Sequence, residues 1–197
     1  GTIFHIRDWS FVPIEQFGCW RLPGDDFNLT QEELSWQYAP PVAEMCTLQS
    51  QQADALEWLF RLGMRSLWYE GLTERSFALY HVNALRLPNI KTIRQLRIGA
   101  PARLFPEHHL RVLPLDDEET LARMAAGEST EALREEREDA MVRRLLAAPH
   151  KVATVVLSGD HALRDNLDRL GGERWQLVTI DLEAYDRLVN GRSQPSD

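Results

Sequence analysis

The stretch that most constrains this chain is Lys151 to Leu170, KVATVVLSGDHALRDNLDRL. Val152 to Leu157 is a short run rich in β-branched residues, the composition of a buried strand. It stops at Ser158-Gly159, where a small residue and a glycine let the backbone turn sharply. Asp160 and His161 follow, and then Leu163, Leu167 and Leu170 recur at helical spacing. A strand, a tight turn and a helix put Asp160 and His161 at the carboxyl end of a strand. That rim is where open α/β sheets bind their ligands, so His161 is the first candidate functional residue.

The same grammar recurs along the chain. Thr2 to Arg7, TIFHIR, reads as a first strand, and Asp8-Trp9-Ser10 closes it. His5 inside that strand reads as a satisfied core histidine. Phe11 to Asn28 is irregular and aromatic, the length and composition of a lid or binding loop. Thr30-Gln31-Glu32-Glu33 is a capping-box signature that opens a helix, and Pro40-Pro41 interrupts it. A second helix is expected from Val42 to Leu62 with Gly63 as its cap. Gln49, Gln51 and Gln52, early in it, read as solvated surface. Ser66 to Tyr69 is a second strand, and Glu70-Gly71 ends it, repeating the polar strand end seen at His161. A helix follows from about Thr73 to Leu87. Leu110 to Leu115 is a third strand, with Pro114 at an edge or at its end. Asp116 to Glu119 then offers one or two acids to the rim, the others favouring a helix N-terminus. Glu118 to Ala148 is charged and helical, broken near Gly127. Trp175 to Ile180 is a fifth strand, Glu183 to Val189 a short last helix, and Gly191 to Asp197 a frayed tail.

Strands alternate with helices throughout, which predicts an α/β fold: a mostly parallel central sheet of about five strands with helices on both faces. The 197 residues suit one domain, and no repeat or linker divides residues 1–197. With a net charge of −8, a pI near 5.3 and no basic patch, nucleic acid is a poor partner. No apolar run approaches the roughly 20 residues of a membrane span. A strand that begins directly after Gly1 reads as a trimmed start, and a removed targeting segment would place the protein outside the cytoplasm. Cys19 and Cys46 fit no metal spacing. They pair if exported and stay free thiols in the cytosol.

The order of these site candidates resembles the superfamily of the Tiki and TraB proteins, the erythromycin esterases and the ChaN-like haem-binding proteins. Chains of that superfamily open with a strand ending in Gly-Glu-X-His or a similar Gly-X-X-His, and a strand ending in glutamate follows. Later, a helix bearing Arg-(Asp/Asn)-X-X-Met leads into a strand ending in Gly-X-Gly-His. Here Glu70 of YEG falls at the strand-end glutamate. Arg137 and Met141 of REDAM match the helix motif, with Glu138 and Asp139 between them. His161 of SGDH matches the late histidine, with Ser158 and Asp160 in place of two small residues. The early motif departs: Asp8 replaces its glutamate, and Ser10 stands where a histidine is expected. Serine is a poor metal ligand and no general base at neutral pH.

The resemblance implies a hydrolase acting on a small-molecule or peptide substrate, of esterase or metalloprotease type. Its site would gather Asp8, Ser10, Glu70, Arg137 and His161 at the strand ends. With a divalent metal, Glu70 and His161 would be the ligands, and a bound water would be acidified. Without one, Arg137 would steady an oxyanion while a carboxylate or histidine takes the proton. The ChaN-like members imply an alternative, a haem-binding or other small-ligand protein. The serine at position 10 supports a third reading, a member that keeps the fold and has lost the chemistry. The substrate, metal and oligomeric state are left open by these residues.

Overall fold

The structure, a computed structural model, describes residues 1–8, 42–85, 99–101, 104, 110–128, 130–159, 161 and 163–192. In chain order its elements are β1 (Thr2–Asp8), α1 (Val42–Arg61), β2 (Ser66–Tyr69), α2 (Glu74–Leu85), β3 (Arg111–Pro114), α3 (Glu118–Ala125), α4 (Glu131–Leu146), β4 (Val152–Ser158), α5 (Leu163–Gly171), β5 (Gln176–Ile180) and α6 (Glu183–Arg192). The five strands form one sheet in the order β3-β2-β4-β1-β5, and every pairing is parallel. The strand predicted from Lys151 onward, β4, lies at the centre. Pro114 is both the last residue of β3 and on an edge strand, where its missing N–H costs no ladder bond.

Alternation along the strands divides the core in two. Ile6, Leu67, Val112 and Val156 pack with Leu48, Leu56 and Leu59 of α1, Tyr80 of α2 and Leu188 of α6. Ile3, Trp68, Val155 and Leu157 pack on the other face with Met141 and Leu145 of α4 and Leu163 and Leu167 of α5. Fully burying one such aliphatic side chain is worth about 1.5–3 kcal/mol, so the sheet is clamped from both faces. The ends of α3 and α4 follow from local chemistry. Asp117 accepts from the Thr120 N–H at 2.8 Å and Thr130 from the Leu133 N–H at 3.1 Å. Between the two helices Gly127 takes φ +93°, the left-handed conformation that ends a helix most easily at glycine.

Two expectations are corrected. The glutamines of α1 are not a solvated face: Gln49 and Gln52 are buried. Gln52 Nε2 donates to the Arg7 carbonyl at 3.0 Å and to Asp8 Oδ1 at 2.8 Å, and Gln51 Oε1 accepts from the Ala184 N–H. They satisfy backbone groups at the end of β1 and the start of α6 that would otherwise be buried unpaired. The last helix is also longer than predicted. It runs to Arg192, through Gly191, because Leu182, Ala184, Tyr185 and Leu188 anchor it to the core. The aromatic loop over 11–28, the helix opening at Thr30, Cys19 and the predicted site residue Ser10 lie outside the described residues. No helix among the described residues is long and apolar enough to cross a membrane.

Candidate functional site

After β2 the chain continues outward to β3; after β4 it passes to the other side of β1 and forms β5. The connections leaving β2 and β4 therefore run in opposite directions from neighbouring strands. That reversal is the topological switch point of an open α/β sheet, where a crevice opens beyond the strand ends. Glu70 follows β2 and His161 follows β4, so both stand at this switch point.

The first groups to be fixed there are backbone ones. Glu70 extends the β2–β4 pairing by donating its N–H to the Val156 carbonyl at 3.1 Å. Gly71 then turns the chain at φ +78°, a conformation L side chains rarely adopt. Its N–H donates to Asp116 Oδ2 at 2.7 Å, tying the end of β2 to the residues just after β3. Beyond β4, Gly159 lies so close to Tyr185 of α6 that a Cβ there would stand 1.7 Å from the tyrosine oxygen. Glycine is thus favoured after β2 by its backbone conformation and after β4 by lack of space.

On this frame five charged side chains meet. Arg137 of α4 reaches the rim with its side chain 9% exposed. Its Nε donates to Asp116 Oδ1 at 2.6 Å and its Nη2 to Asp116 Oδ2 at 3.0 Å, a two-point grip that fixes the guanidinium plane. Nη2 also donates to Glu70 Oε1 at 3.0 Å. The same Glu70 oxygen lies 3.2 Å from His161 Nε2, and Oε2 accepts from the Ser158 N–H at 2.7 Å. The other ring nitrogen of His161, Nδ1, is 2.8 Å from Glu138 Oε1. Arg137 Nη1 is 3.4 Å from His161 Nε2.

These neighbours set the titration of the two rim groups. Burial pushes the Glu70 carboxyl up. The His161 hydrogen bond, the charges of Arg137 and His161 and the Ser158 N–H outweigh it and hold the group down at about 2. Burial and the Arg137 charge push His161 down, but its bonds to Glu138 and Glu70 raise it to about 9. At neutral pH the cluster therefore holds an imidazolium and a guanidinium bracketed by carboxylates.

Of the predicted site residues, Glu70, Arg137 and His161 come together directly. Asp8 shares the rim through its register with Ser158, and its Oδ1 accepts from Gln52 on the α1 side of the sheet. His5 is buried, its Nε2–H donating to the Leu157 carbonyl at 3.2 Å, and burial lowers its pKa. Two members of the cluster were not predicted as site residues. Asp116 was one of four consecutive acids, and its signal was that it directly follows a strand. Glu138 appeared only as a residue inside the REDAM motif.

The residues do not fit a divalent metal. The Glu138 contact at His161 Nδ1 is one a ligating histidine commonly makes, but the permanently charged Arg137 guanidinium stands 3.4 Å from Nε2 and 3.0 Å from Glu70 Oε1, where the ion would have to sit. Among the described residues no group of three His, Cys, Asp or Glu side chains is arranged to hold a metal ion. The expected ligand role of Glu70 and His161 is therefore not supported by their surroundings. Haem iron takes a histidine or a tyrosine among its axial ligands, and a histidine must offer an open ring nitrogen. Of the histidines whose side chains are described, His161 has both nitrogens directed at partners, and His5 directs Nε2 at the Leu157 carbonyl. The chain matches no family model, and no curated protein or solved structure is significantly similar to it.

Proposed function

We propose that this protein is a metal-independent hydrolase of acyl bonds, with His161 as its acid–base group. One observation carries the reading: Glu70, Arg137 and His161, far apart in sequence, meet within hydrogen-bond reach at the switch-point crevice. In its neutral form His161 Nε2 takes a proton from a water molecule as the water oxygen bonds to the substrate's acyl carbon. Arg137 Nη1 donates to the carbonyl oxygen as it becomes negative. The carbon–leaving-group bond then breaks, and the imidazolium returns the proton to the leaving oxygen or nitrogen. Ester or amide and water become acid and alcohol or amine, with no other reactant. Glu70 and Glu138 stabilise the imidazolium formed midway, and Asp116 holds the guanidinium in plane.

The test is a panel of small esters and short peptides. His161→Asn is expected to lower kcat/KM by about 10²–10⁴-fold on any substrate turned over, and Arg137→Lys, which keeps charge but loses the planar fork, to lower it substantially. Because His161 is protonated at rest, kcat/KM should rise with pH through about 9. A flat profile would remove His161 as the base. Ser10→His separates an active enzyme from one that has lost a catalytic group: turnover that appears only in that variant supports the second.

A further inference from the structure

We infer that Glu138 is a positioning residue that decides which nitrogen of His161 exchanges its proton. The inference deepens the acid–base reading above and rests on it for its functional meaning. A neutral imidazole carries one N–H, and two carboxylates compete for it here. Glu138 Oε1 lies 2.8 Å from Nδ1, and Glu70 Oε1 lies 3.2 Å from Nε2. An ionised carboxylate only accepts, so whichever carboxylate holds the proton fixes the tautomer.

The geometry favours Glu138. Its contact is the shorter, and its side chain is 5% exposed against 18% for Glu70, so solvent competes less for it. Glu70 is also already supplied with donors, from Arg137 Nη2 and the Ser158 N–H. When His161 loses a proton, Nδ1–H therefore stays with Glu138 and the lone pair opens at Nε2. There Arg137 Nη1, at 3.4 Å, borders the lone pair until a water molecule takes its place. The ring exchanges partners without rotating. Had Glu70 kept the proton, Nε2 would have no lone pair, and the basic nitrogen would be Nδ1, facing the Glu138 carboxylate instead of Arg137. Among the described residues, the charged and titratable groups around the ring are Glu70 from the β2 end, Arg137 and Glu138 from α4, Asp116 behind Arg137, and His5 within β1.

The full chain, labelled with ¹⁵N, reports the tautomer directly through its imidazole nitrogen shifts above the His161 midpoint, with no substrate present. The wild type is expected to hold the Nδ1–H form. Glu138→Leu should move the neutral ring to Nε2–H. Glu138→Gln, whose amide oxygen still accepts, should keep Nδ1–H while the midpoint falls by about 1 unit, a tenfold loss of proton affinity. A wild-type ring found as Nε2–H, or a Glu138→Leu ring that keeps Nδ1–H, overturns the inference. If Glu138→Leu does not fold, the wild-type tautomer and the Glu138→Gln midpoint decide it. Failure of the hydrolase reading is separate: it appears as absent turnover in the wild type whatever the tautomer. Where turnover is found, Glu138→Leu should lower kcat with little change in KM, and Glu138→Gln should restore part of it.

Discussion

Helix α4 carries ion pairs on two faces, and they differ in everything but chemistry. Its outer face joins α5: Asp139 accepts from Arg169 at 2.6 and 2.9 Å, from Asn166 at 2.9 Å and from Arg143 at 3.2 Å. There the Arg169 hydrogen bond is the largest effect and outweighs burial, and with Asn166 and the arginine charges it holds Asp139 down at about 2. Its inner face sends Arg137 and Glu138 to the sheet rim, 7% and 4% exposed. Outside, the two arginines are 51% and 62% exposed and water can take their place, so each pair is worth little, although Asp139 itself is 15% exposed. Inside, no replacement is at hand, so removing one partner leaves a charge stranded. The inner pairs also join the ends of three strands, whereas the outer ones join two neighbouring helices.

The sharpest break in this contrast is Asp116→Ala. It removes both grips on the Arg137 guanidinium, and urea unfolding should show a loss of about 3–5 kcal/mol. An Asp116→Ala protein as stable as the wild type would mean that the inner face is as well watered as the outer. Next comes pH. His161 is raised from its ordinary 6.5 to about 9, so its contribution is complete below 6.5 and is lost as pH rises through 9. Glu70 is lowered from 4.5 to about 2, so its contribution is present above 4.5 and is lost as pH falls toward 2. Unfolding measured against pH should therefore decline on both sides, and His161→Asn should flatten the alkaline decline. Glu70→Gln sharpens the same point, since it should shift the alkaline limb to lower pH by weakening the hold on the imidazolium. The smallest effect is expected from Arg169→Ala, whose unfolding midpoint should stay within experimental scatter and whose turnover should be unchanged. Raising salt to 1 M, where screening acts within about 3 Å, should erase even that difference and leave the Asp116→Ala deficit in place.

The fold was legible because each strand announces itself twice, by an apolar run and by the small or polar residues that end it. Every strand lies within a residue or two of its predicted span, and the sheet is parallel throughout. The rim was legible in part for the same reason: a residue after a parallel strand can go only to one edge. Glu70 and His161 follow from that rule, whereas Arg137 came from the family resemblance. Asp116 obeys the rule too but stood among four acids, of which Asp117 caps α3 and Glu118 accepts from the Arg75 N–H at the start of α2, and nothing local marks the first as different. Glu138 was hidden by the charge around it. A spacing of four carries Leu133, Arg137, Met141 and Leu145 down one side of α4, and Glu138 lies beside Val142 on the same stripe. Two charged residues on an apolar stripe are the mark of a buried pair, yet a count of charges reads them as surface. The glutamines of α1 were misread for a related reason. Periodicity finds the face of a helix but not the backbone groups of other elements that end against it.

The position of β1 bears on how the chain comes to be folded at all. Ile3 pairs in register with Ala153 on one side and with Leu177 on the other. Strand β1 thus leaves the ribosome before either of its partners and waits for both. At synthesis rates of about 5–20 residues per second, the wait is roughly ten to thirty seconds, during which Ile3 and Ile6 have no sheet to enter. Few early contacts are available to such a topology, and long-range pairing of this kind makes for slow folding. The charged cluster at the rim inherits that lateness, since Glu70 cannot meet His161 before β4 is in place. A protein released early, without β5, would present the free flank of β1 to whatever strand it met.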